Sequence, residues 1–325
     1  MEDGRRLGEL EMLERELRRD EEEERAEAEA QLDAALAGAT DEELSDVFMA
    51  ISQVATLFPY LQFQKKLPRI VMKHQLYNVV KDRTDVDREL IRLRDEGKVR
   101  LFRLGVGHSE YAVLPAPEYA AYLRARALVT KPSFDQPTAG DAGAIGGAAA
   151  AAAAGGRVQG SASTRGHVKP STRRETNPDR NPLTGEGWIA LVDKFVDEVL
   201  PAVREESVAA DVLRGAPFRL LERDISALMQ AGMLTGRGVD SFYISIPGAG
   251  TFVKSLAKGR SELLSMLKRA KYQEMLRNEL LKRKLRMSKI GVPYAVADLT
   301  GAQLVDVVPT TSGDLLKWRK AARAS

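Results

Sequence analysis

Apolar positions in this chain recur in a four-three-four spacing that ends each time on a glycine. Val86, Leu90 and Leu93 lead to Gly97, and Leu221, Ile225 and Leu228 lead to Gly232. Such spacing puts three side chains on one face of an α-helix, and the glycine stops the helix one turn later. A third, weaker occurrence reads Ile290, Tyr294, Ala297 and Gly301. Two short runs of strand character around a tight turn follow each glycine. A short helix feeding a two-stranded wing predicts the recognition half of a winged helix, here repeated in tandem.

The flanking residues extend the pattern. Order is expected from Thr40, where Thr40 and Glu43 form a capping box and Leu44, Val47, Phe48 and Ile51 mark a buried face. A second helix is predicted over 68–80, with Ile70, Val71, Leu76 and Val79 apolar. A third is capped by Thr84, has Asp87 at the capping-box position and ends at Gly97. Strands over 98–104 and 110–114 flank a wing turn at Gly105, Gly107 and Ser109, and a helix from Pro117 to about Leu128 follows. In the second unit a strongly apolar helix from Trp188 ends at Pro201. A helix over 207–213, a recognition-type helix over 217–231 and wing strands over 233–235 and 241–246 come next. The third unit opens at Pro247-Gly248-Ala249-Gly250 with long helices, broken near Tyr272 or not at all. A short helix begins at Gly291 and Pro293 and stops at Gly301, and two strands lead to Trp318.

The fold class is therefore α+β, mainly α, with three tandem winged-helix domains. Residues 1–39 read as an acidic helical or disordered tail and 40–130 as the first winged helix. Residues 131–183 read as a flexible linker, dominated by Pro, Gly, Ala, Ser and Thr without apolar period. The second winged helix is expected over 184–247 and the third, basic one over 248–325.

Composition removes several function classes. The chain has no cysteine, which excludes disulfides and thiolate zinc sites and fits a reducing compartment. Its three histidines, His74, His108 and His167, are far apart in sequence, so neither a histidine metal site nor a histidine-based triad is expected. The acidic N-terminus lacks a signal-peptide pattern, and no run reaches the about 18 apolar residues of a membrane span. No cofactor is expected.

Charge is lopsided although the net is only +3. From Met1 to Phe48 there are 18 acidic and 6 basic residues, a net of −12; from Gly250 to Ser325 there are 16 basic and 6 acidic, a net of +10. The basic end is either a solvated helical surface or a polyanion-binding face. The three recognition-type helices differ in the same respect. The helix over 82–96 is net negative and would be repelled between two phosphate rows, so its exposed face suits protein. The second balances Arg219 and Arg223 against Glu222 and Asp224. The third unit carries Lys254 and Lys258 four apart, and Lys268 and Lys271 three apart, each pair on one helix face. Arg260, Arg269, Arg283 and Lys284 add to the field. Such groups suit DNA backbone better than base edges.

An enzyme reading finds little. Ile70-Val71-Met72-Lys73 faintly resembles the strand lysine of a protein kinase, but no glycine lies between Gly38 and Gly97 to form a phosphate-covering loop. His-Arg-Asp and Asp-Phe-Gly are both absent. Pro247-Gly248-Ala249-Gly250 lacks the Gly-Lys-Ser/Thr ending of a phosphate loop and reads as an inter-domain turn.

Several short stretches resemble the family named serine/threonine-protein kinase 19, also described as a winged-helix repair factor. They are Leu57-Phe58-Pro59, Asp82-Arg83-Thr84, Ile246-Pro247-Gly248-Ala249-Gly250, Lys258-Gly259-Arg260, Lys271-Tyr272, Gly301-Ala302-Gln303-Leu304-Val305-Asp306 and Thr310-Thr311-Ser312-Gly313. The resemblance covers about 45–114 and 185–318; the acidic N-terminus and the long linker depart from it. It implies three winged helices, double-stranded DNA binding, a nuclear location and a part in transcription-coupled nucleotide excision repair. It also implies partners: the stalled RNA polymerase II elongation complex, the Cockayne syndrome ubiquitin-ligase subunit, the UV-stimulated scaffold protein and transcription factor IIH. The implied DNA contacts fall on Lys254, Lys258, Lys268, Arg269, Lys271 and Arg283.

The expectation is thus a non-catalytic double-stranded DNA-binding adaptor whose third unit grips duplex phosphates while the first two meet protein. One alternative is a protein-only scaffold of the transcription machinery whose basic helices meet acidic protein. Another is the serine/threonine kinase of the family name.

Overall fold

The computed structural model describes residues 45–105, 110–130 and 185–319, together with Arg19. The Thr40 capping box, the acidic tail, the wing turn over 106–109 and the linker over 131–183 lie outside the described residues.

One order of elements occurs three times. The first unit runs α1 (Asp46–Ala55), β1 (Val71–Met72), α2 (Lys73–Leu76), α3 (Arg83–Asp95), β2 (Val99–Arg103) and β3 (Tyr111–Pro115), and α4 (Ala116–Val129) follows it. The second runs α5 (Gly185–Lys194), β4 (Ser207–Ala209), α6 (Ala210–Arg214), α7 (Glu222–Gln230), β5 (Leu234–Gly238) and β6 (Ser241–Ile244). After α5 the helical path continues through a π-turn at Phe195–Val199 and a last turn at Leu200–Ala202. The third runs α8 (Ala249–Arg269), β7 (Glu274–Leu276), α9 (Arg277–Leu281), α10 (Val292–Gly301), β8 (Val305–Thr310) and β9 (Gly313–Trp318). Each unit closes a three-stranded antiparallel sheet with its last strand in the middle: β1-β3-β2, β4-β6-β5 and β7-β9-β8. Helices and small antiparallel sheets thus combine as an α+β fold.

The short leading strands correct the sequence expectation. A helix was expected over 68–80 and another over 207–213, yet both segments open as strands, Val71 pairing Val113 and Ser207 pairing Tyr243. Strands of two or three residues show no period, and their partners lie dozens of positions away, so nothing local announces them. Chain breakage after α8 follows the first of the two expected options: Tyr272 turns the backbone left-handed and β7 begins two residues later.

Helix ends correct two further points. Asp82, rather than Thr84, caps α3, its carboxylate accepting from the amides of Thr84 and Asp85. Gly97 and Gly232 do end their helices at φ 79° and 75°. In the third unit that position belongs to Gln303, at φ 57°, and Leu304 closes the turn by donating to the Leu299 carbonyl. The true third copy of the spacing is therefore Val292, Val296, Leu299 and Gln303, two residues beyond the expected one. Gly301 serves another purpose. A Cβ there would overlap the His74 carbonyl oxygen and carbon, so its bareness lets α10 lie against α2.

Packing makes the units one body. A smaller core built on Val47, Ile51, Leu76, Val86, Leu90 and Val113 belongs to the first unit alone. A larger one runs through all three. In it Phe58 and Phe63, from the segment between α1 and β1, stack at 5.5 Å, and Phe58 meets Phe252 and Tyr294 of the third unit at 5.8 and 5.9 Å. Between the first two units Arg100, 6% exposed, donates to the Leu200 and Val203 carbonyls, and Trp188 Nε1 donates to the Ala127 carbonyl.

Gly301→Ala is expected to lower stability by roughly 1–3 kcal/mol, because the blocking atoms are backbone. Gly250→Ala, at an open site in the first turn of α8, is expected to be neutral or to stabilise by up to about 1 kcal/mol. Urea titration of both variants checks this; equal midpoints would contradict it.

Candidate nucleic-acid interface

Helix α8 spans 21 residues and buries Phe252, Leu256, Leu263 and Leu267 along one side. At about 100° per residue, Lys254, Lys258, Ser261, Ser265, Lys268 and Arg269 fall within roughly 100° of arc on the other. All six are exposed. Only Ser261 and Ser265 separate the cations, so nothing bulky interrupts the stripe. From Lys254 to Arg269 it is about 22 Å long, the length of roughly six base pairs.

A second cationic segment is fastened beside the first. Residues 282–291 connect α9 to α10 and include Lys282, Arg283, Lys284, Arg286 and Lys289, all exposed. The Glu262 carboxylate, at the flank of the stripe, accepts from the amides of Arg286 and Met287 at 2.7 and 2.9 Å. Ser288 Oγ donates to the Ser255 carbonyl at 2.6 Å, and a Cβ on Gly259 would crowd that hydroxyl at 3.1 Å. The one acidic residue on this side of α8 is thereby used to hold the loop. The stripe ends in aromatic contacts: the Lys268 ammonium lies 4.7 Å from the Trp318 ring centre and that of Lys271 lies 5.2 Å from Tyr272.

Arg260 does not belong to this face, contrary to expectation. It sits roughly 130° around α8 from the middle of the stripe and is only 14% exposed. Its Nε and Nη2 donate to the two oxygens of Asp298 at 2.6 and 2.8 Å, and its Nη1 donates to Glu110 at 2.5 Å. Asp298 itself is fully buried in α10 and lies 2.8 Å from His74 Nε2. Around this group Tyr294 donates to the Ile70 carbonyl, Gln75 donates to the Tyr294 carbonyl and Asn78 donates to the Ala297 carbonyl. Burial by itself pushes the Asp298 carboxyl up, but the bonds from Arg260 and His74 outweigh it and hold the group below its usual range. The Arg260 guanidinium loses by burial and gains more from Asp298 and Glu110, so it is held more firmly charged than usual.

The sequence reading missed this cluster. Its signals are a lone carboxylate in an otherwise apolar helix, Val292–Gly301, and the angle of Arg260 on α8.

The recognition-type helices offer no comparable face. On α3, Arg88 pairs with Asp85, Arg92 with Glu89 and Arg94 with Asp95. In the second unit Arg214 pairs with Glu222 at the start of α7. Helix α10 has no cation and lies against the first unit. Lys73 pairs with Asp87 at 2.9 Å, and among the described residues no group of acidic or histidine side chains could hold a metal ion.

Nearly all of the described region corresponds to a known family. A family model described as inactive serine-threonine protein kinase 19 matches residues 46–318. The chain belongs to that family. Among its relatives is human winged helix repair factor 1, 32% identical over 269 residues, which cover 82% of this chain and 84% of the human protein. Proteins of the same name match at 30% identity in Xenopus laevis, over 82% of each chain, and at 26% in Dictyostelium discoideum, over 82% of this chain and 63% of that one.

Removing the Asp298 charge while keeping its shape should be costly, since Asp298→Asn leaves Arg260 under-compensated in the interior. The expected loss is roughly 3–5 kcal/mol at neutral pH. A carboxylate held below its usual range adds stability that is complete above about pH 4 and fades as acid protonates it in the folded state. Urea midpoints measured from pH 7 to pH 3 should therefore fall less steeply in the variant than in the parent. Parallel curves would show that this carboxylate is not a source of the acid sensitivity.

Proposed function

We propose that this protein is a non-catalytic double-stranded DNA-binding adaptor in transcription-coupled nucleotide excision repair. We read its three units as winged helices, with domains at 40–130, 184–247 and 248–325. The third binds duplex, through Lys254, Lys258, Lys268, Arg269 and Lys271 on α8 and its continuation, and Arg283 and Lys284 in the neighbouring loop. The observation that carries the reading is the unbroken, six-base-pair-long cationic stripe on α8, with a second cationic segment tied alongside. Lysine and arginine on a smooth helical ridge neutralise phosphates without reading bases, so sequence preference should be weak. The relatives' name, winged helix repair factor, supports both the unit type and the repair role.

The acidic, ion-paired face of α3 suits protein contact. In this reading the first two units meet the stalled RNA polymerase II elongation complex, the Cockayne syndrome ligase subunit, the UV-stimulated scaffold protein and transcription factor IIH, in the nucleus. The family's description as inactive, and a Lys73 already paired with Asp87, support a role without phosphoryl transfer.

Titration of a fluorescent duplex with the full chain at increasing salt tests the reading. If five phosphates are neutralised, the logarithm of the association constant should fall against log salt with a slope of about −4.5. Changing Lys268, Arg269 and Lys271 together to Glu should reduce that slope by about three and weaken binding throughout. Salt-independent affinity, or undiminished binding by the triple variant, would favour the protein-only scaffold.

A further inference from the structure

Tyr272 stands where the cationic stripe ends, in a posture that its own packing does not explain. It is the only exposed aromatic residue among the described residues, at 74% exposure. Its backbone is left-handed, φ 61° and ψ 11°, and Gln273 repeats that conformation at φ 59°. Residues bearing a Cβ adopt this region at a cost, and a bulky one adopts it rarely. Here the turn that ends α8 holds an aromatic ring out in solvent.

The surroundings give the ring a chemistry. Lys271 places its ammonium 5.2 Å from the ring centre, and Lys268 and Arg269 precede it within one turn of chain. Glu274 pairs with Lys317 across the sheet, so Tyr272 and Trp318 lie at the same end of the third sheet. Trp318 is half-buried against the core with Lys268 over its ring, whereas Tyr272, with Lys271 over its own ring, stays 74% exposed and is the more accessible of the two. An exposed aromatic among phosphate-binding cations suits a nucleobase, because every base has a π-face that stacks without regard to sequence. In continuous duplex the bases are already stacked inside. A base that has lost its pairing partner is not.

We propose that Tyr272 is a stacking platform for an unpaired base adjoining the duplex held on α8, so that the protein prefers DNA in which duplex passes into a gap, bubble or overhang. The inference rests on the duplex-binding reading above and specifies the DNA that this surface selects.

The experiment compares full-length protein with Tyr272→Ala, Tyr272→Gly and Tyr272→Phe. Each is titrated against blunt duplex and against the same duplex carrying a short single-stranded gap, with 2-aminopurine at the unpaired position to report stacking. The parent should bind the gapped DNA about tenfold more tightly and quench the 2-aminopurine. Ala and Gly should lose that preference and the quenching while binding blunt duplex within about twofold; Phe should keep both. Gly suits the left-handed backbone, so its loss would come from the missing ring rather than from a damaged turn. Equal affinity of the parent for both DNAs, or an equal loss on both in the variants, would overturn the stacking role and leave duplex binding standing. A parent that binds neither DNA would overturn both readings.

Discussion

The bond between Arg260 and Asp298 is the constraint around which the third unit is arranged. A carboxylate with no solvent exposure survives only because a guanidinium grips both its oxygens and His74 reaches one of them. Arg260 comes from α8, Asp298 from α10, and His74 and Glu110 from the first unit. Four segments far apart in the chain therefore meet at one charge cluster. Since breaking a buried pair strands a charge in a poor dielectric, the cluster tolerates few alternative arrangements of those segments. With Arg260 anchored inward, the opposite side of α8 is fixed outward, and that is where the other cations lie.

This arrangement also decides which helix is available for a partner. In each unit the helix before the sheet hairpin occupies the place from which such folds are expected to read a groove. In the third unit that helix, α10, is spent on internal contact: its tyrosine, its aspartate and its bare Gly301 all face the first unit. The exposed cations lie instead on the first helix of the unit and on the loop clipped to it by Glu262 and Ser288. A ridge of lysine and arginine on a helix side suits grip along a duplex more than base discrimination.

Much of this was legible in the chain. Long periodic helices such as α3, α5 and α8, the strand pairs that follow α3, α7 and α10, and the left-handed turns at Gly97 and Gly232 follow from spacing and glycine alone. What escaped has a common cause: it depends on residues far away in sequence. The first strand of each sheet is two or three residues long and acquires its character from a distant partner. Gly301 satisfied the stop pattern locally and is the last residue of α10, yet the left-handed turn falls at Gln303, and the glycine is required by the His74 carbonyl. Arg260 shared the sign of its neighbours and so joined them in the sequence reading. Its angle on α8 already set it apart, but only the buried Asp298, some forty residues on, shows why.

The most direct measurement is a lysine footprint of the full chain with and without a 20-base-pair duplex, read by acetylation and mass spectrometry. Lys254, Lys258, Lys268 and Lys271 should be protected by the duplex, while Lys73 and Lys98, paired with Asp87 and Glu96 in the first unit, keep their reactivity. Protection of the first-unit lysines with the α8 stripe left reactive would contradict the account.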